Sequence, residues 1–347
     1  MQKEIDLQSY LSTLVAQGNA STELESIVDA LGRSAIKISK LIARGEAGGG
    51  LAKCVKADNG TGDSQKRLDV LAHNYVVDAL QGLPVAWLAS EECEESIEIT
   101  PGASLSVAID PLDGSSNIET NAPIGTIFSI LPTASDATSD STFFQPGAKQ
   151  VAAGFFVYGP QCALFLTCGC GTDVFILDPD SGVFVLNSKG AKIARNASEF
   201  AINCSNARHW SLAVRHYVDD CAAGKNGPIG RDFNMRWIAS LVAEAQRIVV
   251  RGGVYLYPSD ERNGYENGRL RLIYEANPIA LLVEQAGGLA TDGSARILDV
   301  KPTRLHQRTP FVFGSRGDVE LVRYYTRGPH SRERNPALFS QRDIFRH

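Results

Sequence analysis

No run of eighteen uninterrupted apolar residues occurs in this chain, so no segment is expected to cross a bilayer as a helix. The opening stretch, MQKEIDLQSYLSTLVAQGN, lacks both a long apolar core and a small-residue cleavage pattern, which argues against a secretory signal. A basic excess is missing as well. Lys and Arg number 34 against 39 Asp and Glu, and the net charge of -5 sets up no field that would attract nucleic acid or a membrane surface. Cysteine is sparse: the seven are odd in number and form no paired CxxC signature, so reduced thiols in a cytoplasmic protein fit best. Cys168 and Cys170, on either side of Gly169, read as structural thiols at the end of a buried strand, with metal or redox chemistry as the alternative. The glycines follow no period of three, which excludes a collagen-like helix.

What is present is globular in character. Apolar residues make 44% and charged residues 21%, which rules out a disordered chain or a coiled coil. A length of 347 residues allows two domains, or one large one, and a core that needs no covalent staples.

Leu24, Ile27, Val28, Leu31, Ala35, Ile38 and Ile42 recur at helical spacing and predict a helix over 21–44, with Thr22 and Glu25 spaced as a capping box. A glycine-rich connection follows and continues to Gly62; so long a loop with so little apolar content is expected to be mobile or functional. A second helix is predicted over 66–80. Short strands over 84–89 and 105–109 run into two acidic clusters, Glu91 with Glu92 and Asp110 with Asp113. Both clusters are expected just past strand ends, where open α/β sheets place their ligands. Apolar runs at 151–158, 163–167 and 174–177 predict a meander. A domain boundary is placed near 190. Beyond it the pattern is α/β: a helix over 235–250 carrying Trp237 as a core residue, strands over 254–257 and 270–274, a helix closed by Gly287 and Gly288, a strand over 311–313 and a last helix over 319–325. The expected organisation is an α+β segment 1–190, an α/β segment 191–326, and a basic tail 327–347.

Seven acidic residues carry the chemistry: Asp63, Asp69, Glu91, Glu92, Asp110, Asp113 and Glu275. Asp110 and Asp113 flank Pro111, which fixes its own φ, and Gly114 allows a tight turn into Ser115 and Ser116. Such carboxylates suit hard cations, and the turn's N–H groups suit phosphate oxygens. Glu91 and Glu92 would point in different directions at a strand end, so that one holds metal and the other orients water. With no histidine or cysteine in the set, magnesium or manganese is favoured over zinc. The plain alternative for the Asp110 segment is a solvated acidic turn.

Several separate stretches resolve that choice. They are TGDSQKRLD at 61–69, SEE at 90–92, DPLDGSSN at 110–117 followed by GTIF at 125–128, GGVYLYP at 252–258, LRLIYEANP at 270–278 and HQRTP at 306–310. In this order the set resembles the class I fructose-1,6-bisphosphatases in their bacterial form, within the metal-dependent, lithium-sensitive sugar and inositol phosphatases. The resemblance implies a layered α/β sandwich with the active site between two halves. It implies hydrolysis of the 1-phosphate of fructose 1,6-bisphosphate by metal-activated water in an in-line attack, serving gluconeogenesis, the Calvin cycle or both. Two or three Mg2+ ions per subunit, with Mn2+ as a substitute, would be held by Glu91, Asp110, Asp113, Glu275, the carbonyl of Leu112 and, on loop closure, Asp63. Glu92 and Asp69 would orient and help deprotonate the water, aided by Asp63. Asp113, Gly114, Ser115 and Ser116 would meet the 1-phosphate. Asn203, Tyr257 and Arg269 would meet the 6-phosphate, with Arg236 donated by a neighbouring subunit of a homotetramer and Ser240 and Leu241 against the sugar.

The same resemblance makes 46–69 a mobile lid hinged at glycines 48–50. Arg269 stands in place of the family's usual lysine, and Asn206 and Trp237 in place of tyrosines near the 6-phosphate, which keeps a sedoheptulose-1,7-bisphosphatase or dual-substrate enzyme as the alternative. Ser21 to Leu24 resembles a phosphate-cradling helix start, yet Ser104 and Leu105 replace the lysine and tyrosine of AMP-inhibited members, so AMP regulation stays open. The tail would either pack on a partner subunit or fray into solvent.

Overall fold

The computed structural model describes residues 5–45, 50–56, 65–134 and 139–327. The expected lid falls partly, and the tail almost wholly, outside them, as does Asp63. The chain opens with helices α1 (Leu7–Ala16) and α2 (Thr22–Ala43). The α2 cap is Ser21, whose hydroxyl accepts from the Leu24 N–H at 3.2 Å, one residue earlier than the spacing of Thr22 and Glu25 implied, because Thr22 is already helical. A ribbon of β1 (Cys54–Lys56) and β2 (Gln65–Lys66) leads into α3 (Arg67–Leu80).

Eight strands follow: β3 (Val85–Ser90), β4 (Ile97–Glu98), β5 (Leu105–Asp113), β6 (Ile124–Pro132), β7 (Ala152–Tyr158), β8 (Cys162–Thr167), β9 (Asp173–Leu177) and β10 (Phe184–Ser188). They form one sheet in the order β10-β9-β8-β7-β6-β5-β3-β4, antiparallel except where β3 meets β5. The strands of the meander read as unbroken apolar runs because both faces are covered. Along β7, Ala152, Phe156 and Tyr158 pack toward α1, α2 and α3, while Ala153, Phe155 and Val157 pack on the opposite side.

The rest of the chain supplies that opposite side. β11 (Glu199–Ala201), α4 (Leu212–Ala222), β12 (Asn234–Met235), α5 (Leu241–Arg251) and β13 (Val254–Tyr257) come first. They are followed by β14 (Leu270–Arg271), α6 (Asn277–Gln285), β15 (Leu289–Thr291), β16 (Arg308–Thr309), β17 (Phe311–Gly314) and α7 (Arg316–Arg327). Five of these strands make a second sheet, β12-β11-β13-β17-β15, and β14 pairs with β16. Helices α5 and α6 lie between the two sheets: Val242, Ala245, Leu282 and Val283 join Phe155 and Phe165 of one sheet to Phe311 and Phe313 of the other. Beyond the second sheet, Val214 and Tyr217 of α4 and Val319 and Val322 of α7 close the outer core. The result is a stack of helix, sheet, helix, sheet, helix.

Two expectations are corrected here. The helix predicted over 235–250 starts only at Leu241, because Ser240 caps it and Met235 belongs to β12, so Trp237 precedes the helix instead of packing within it. The strand predicted over 270–274 is two residues long and gives way to a π-helical turn, Leu272–Ala276.

Candidate active site

Asp110 and Asp113 were expected past the end of a strand; both lie inside β5. In a regular strand, residues three apart face opposite sides. Here Asp110 pairs with Ile127 and Asp113 with Gly125, so β5 spends one residue more than β6 over this interval. That bulge shifts the phase and turns both carboxylates to one side. Pro111, which has no N–H to lose from the ladder, sits in it, and its carbonyl accepts from the Thr126 hydroxyl at 2.8 Å. Gly125 is required opposite: a Cβ there would lie 2.1 Å from the Phe156 carbonyl oxygen and 2.7 Å from Val242.

The π-turn brings the third carboxylate. Its widened backbone presents Glu275, whose carboxylate accepts from the Arg271 N–H. Oxygens of Asp110, Asp113 and Glu275 all lie within 4.8 Å of one another, and all three residues are buried. Asp113 also accepts from the Val242 N–H at 3.0 Å, at the electropositive start of α5. Glu91 completes the group by hydrogen bonding to Asp110, and the Arg271 guanidinium approaches Glu91 at 3.6 Å.

Burial is the first cause of every shift here, and mutual repulsion adds to it. Asp110 and Glu275 are pushed well above ordinary carboxyl values, and Asp113 up to about 7. Asp69, at the start of α3, is buried too and pushed up to about 7, although the Lys66 N–H donates to it at 2.6 Å. A cluster that resists ionisation in the absence of a counter-charge, and is built only of oxygen donors, fits hard divalent cations.

These groups line one cavity of about 740 Å³. Asp69, Glu91, Glu92, Asp110, Leu112, Asp113, Gly114, Ser115 and Ser116 come from the first part of the chain, and Asn203, Leu241, Tyr257, Arg269 and Glu275 from the second. Glu92 accepts from Gln65 Nε2 at 2.6 Å. Gly114, at φ 80°, turns the chain into the 3₁₀ segment Ser115–Asn117. Ser240 does not line this cavity, and neither does Arg236, which was expected to act in a neighbouring subunit's site. Ser240 lies behind the wall as the α5 cap, and the half-exposed Arg236 side chain turns to Glu199 at 3.6 Å, away from the cavity.

Sequence reasoning missed residues of this site, among them Ala239 and His73. Trp237, for which the letters leave the core and a place near the 6-phosphate both open, lines the cavity and stacks on Tyr255, ring centres 5.9 Å apart and planes 9° apart. Ala239, also on the wall, sits at φ 60° with its carbonyl held by Asn117 Nδ2 at 2.8 Å, a left-handed backbone that no sequence signal announces in an alanine. His73 Nδ1 meets the Ser90 hydroxyl at 2.9 Å, and that oxygen accepts the Glu92 N–H at 3.3 Å, so a histidine on α3 braces the glutamate turn. Its position on the polar side of the predicted helix was the only available hint. The cysteines take no part in the cavity lining. Burial holds the Cys168 thiol up to about 12, which keeps it protonated and unreactive.

Comparison with known proteins identifies the family. The profile described as fructose-1-6-bisphosphatase, N-terminal domain, matches residues 10–189, and the C-terminal domain profile matches 193–327. A class 1 fructose-1,6-bisphosphatase of Rhizobium meliloti is 51% identical over 98% of both chains. One from Nitrobacter hamburgensis is 51% identical over the full length of both. The crystal structure of Leishmania major fructose-1,6-bisphosphatase in holo form superposes with a TM-score of 0.84 at 33% identity, covering 93% of this chain and 99% of that one. No described helix is long and apolar enough to cross a membrane. The chain therefore belongs to the class 1 fructose-1,6-bisphosphatase family, whose metal dependence the buried carboxylate trio accommodates.

Proposed function

We propose that the chain hydrolyses the 1-phosphate of D-fructose 1,6-bisphosphate to D-fructose 6-phosphate and inorganic phosphate, with Mg2+ as its working cation and Mn2+ as a substitute. One observation carries the reading: a single cavity holds both the buried carboxylates and a second set of phosphate donors, Asn203, Tyr257 and Arg269.

Asp110, Asp113, Glu275, Glu91 and the Leu112 carbonyl would hold the cations. Divalent ions supply positive charge against phosphoryl oxygens and acidify water. Gly114, Ser115 and Ser116 hold the 1-phosphate, because the first N–H groups of a helical turn have no partner within it and point outward. Glu92, its carboxylate anchored by Gln65, orients the attacking water. Asp69, buried beside the acidic cluster and held by the Lys66 N–H at 2.6 Å, would help take the proton from that water. At the other anchor the Arg269 guanidinium and the Asn203 and Tyr257 side chains meet the 6-phosphate, while Leu241 forms a wall for the sugar. Arg236, exposed and outside its own cavity, would reach the site of a second copy in a homotetramer. The protein works in the cytoplasm, where thiols stay reduced. Asp63 lies outside the described residues.

Phosphate release tests the reading, with fructose 1,6-bisphosphate, sedoheptulose 1,7-bisphosphate and fructose 1-phosphate compared at saturating Mg2+ and after chelation. The account expects the highest kcat/KM on the first, a loss of about tenfold or more on the monophosphate, and no turnover without metal. Equal rates on the six- and seven-carbon bisphosphates would make the enzyme dual-substrate. Equal rates on fructose 1-phosphate would remove the second anchor.

A further inference from the structure

The loop between β13 and β14 carries a second structure that the hydrolytic site does not use. Its centre is Tyr265, which does not line the cavity. The Tyr265 hydroxyl accepts from Arg269 Nη1 at 2.6 Å, and the same guanidinium stands 4.9 Å from the ring centre. On the ring there is a second guanidinium, that of Arg262, at 4.1 Å. Arg262 is itself fixed by Asp260, with Nε bonded to both carboxylate oxygens at 2.9 and 3.1 Å. The Tyr265 carbonyl accepts from the N–H groups of Asp260 at 3.2 Å and Gly268 at 2.9 Å, which stitches the loop shut around the ring. Gly268 fixes the far end: at φ 75° a Cβ would stand 2.4 Å from the backbone of Thr309 and Pro310.

An arginine side chain free in solvent explores many rotamers, and ordering it costs free energy that binding must offset. Here the guanidinium that faces the cavity is already tethered at one nitrogen, while the rest of its donors stay available. We propose that Tyr265, propped by the Arg262–Asp260 pair, is a positioning residue that presets Arg269 for the phosphate remote from the reacting centre, and so sets the preference for bisphosphates over monophosphates. The inference rests on the assignment of Arg269 to that phosphate. Tyr265 touches neither substrate nor reacting atoms; it acts through the arginine.

The test compares kcat/KM on fructose 1,6-bisphosphate with that on fructose 1-phosphate, which lacks the remote phosphate. The intact enzyme is used with Tyr265→Phe, Tyr265→Ala, Arg269→Met and the double variant. Tyr265→Phe keeps the ring and removes only the hydroxyl. It should lower the bisphosphate-to-monophosphate ratio by roughly 5-fold through a higher KM at unchanged kcat, and Tyr265→Ala by roughly 10- to 30-fold. Adding Tyr265→Ala to Arg269→Met should lower the ratio no further, because the two act as one unit. A ratio that falls with Arg269→Met but not with either Tyr265 variant overturns the positioning role. Equal losses on both substrates also overturn it, since they would mark a merely structural residue. An unchanged ratio in Arg269→Met would instead remove the anchor assignment on which the inference stands. Should Tyr265→Ala fail to fold, the Phe variant alone decides the outcome.

Discussion

Asp113→Asn lowers kcat by about 10³-fold or more at saturating Mg2+, with the KM for fructose 1,6-bisphosphate within a few fold of the parent enzyme. The substitution is nearly isosteric, so the bulge of β5 and its pairing with Gly125 survive. What changes is charge at the convergence point. One Asp113 oxygen is committed to the Val242 N–H at 3.0 Å, and the carboxylate also stands within 4.8 Å of Asp110 and Glu275. An amide cannot supply the negative charge a cation needs, and its NH2 group would set a donor among ligands that must accept. The remote donors Asn203, Tyr257 and Arg269 are untouched, so ground-state binding persists while transition-state stabilisation is lost. Steady-state phosphate release over a Mg2+ titration checks this. A kcat within tenfold of the parent would mean that Asp113 is not a ligand.

The metal-free protein loses stability as pH rises from about 4 to about 7, and Mg2+ reverses the loss. The carboxyls at issue are raised by burial, with Asp69 and Asp113 both moved from 3.8 to about 7. In this window the folded state holds protons that the unfolded state has released. Stability therefore falls with increasing pH through the window and levels off above the folded-state values of these two groups. For Asp69 alone the span corresponds to an upper bound of about 4 kcal/mol. Asp110 and Glu275, raised further in the same direction, extend the decline to higher pH. A bound divalent cation replaces the protons, so its affinity rises with pH, and at a concentration of 100 times its Kd it returns about 2.7 kcal/mol. Urea denaturation at a series of pH values, with chelator and with Mg2+, reads both curves. His73 and His306, both lowered by burial, act in the opposite direction through the same window, so the deciding quantity is the difference between the parent and folded Asp113→Asn: a parent curve that falls no more steeply than the variant's would contradict the burial of Asp113.

Much of this was legible in the letters. Helical periodicity placed α2 and α3 to within a residue or so, and the doubly buried strands β7, β8 and β9 stood out as apolar runs broken by turn residues. The acidic cluster was visible because seven carboxylates were read at predicted element ends and in loops, two of them beside the Gly114-Ser115-Ser116 turn, although Asp110 and Asp113 lie inside β5. The parts that were not legible have physical reasons. The bulge that puts Asp110 and Asp113 on the same side depends on the register with β6, a partner whose segment was noted only as a GTIF motif. The π-turn that delivers Glu275 has no local propensity signal; it forms where α6 docks between the sheets. For Trp237 the letters left core packing and a place near the 6-phosphate both open; Ser240 starts α5 after it, which leaves the indole on the cavity wall. The brace from His73 to Ser90 joins residues 17 apart, and the pairing of Tyr265 with Arg269 hides in a loop with no periodicity at all.

The account stands on cations binding where Asp110, Asp113 and Glu275 converge. Direct titration of the metal-free enzyme with Mn2+, followed by electron paramagnetic resonance of the free ion, measures this without reference to turnover. In the parent protein the ion is bound in the presence of fructose 6-phosphate and inorganic phosphate, and Mg2+ displaces it. In folded Asp110→Asn and Glu275→Gln variants the affinity falls by about tenfold or more. Parent-like Mn2+ binding by both variants would place the cations elsewhere and contradict the site.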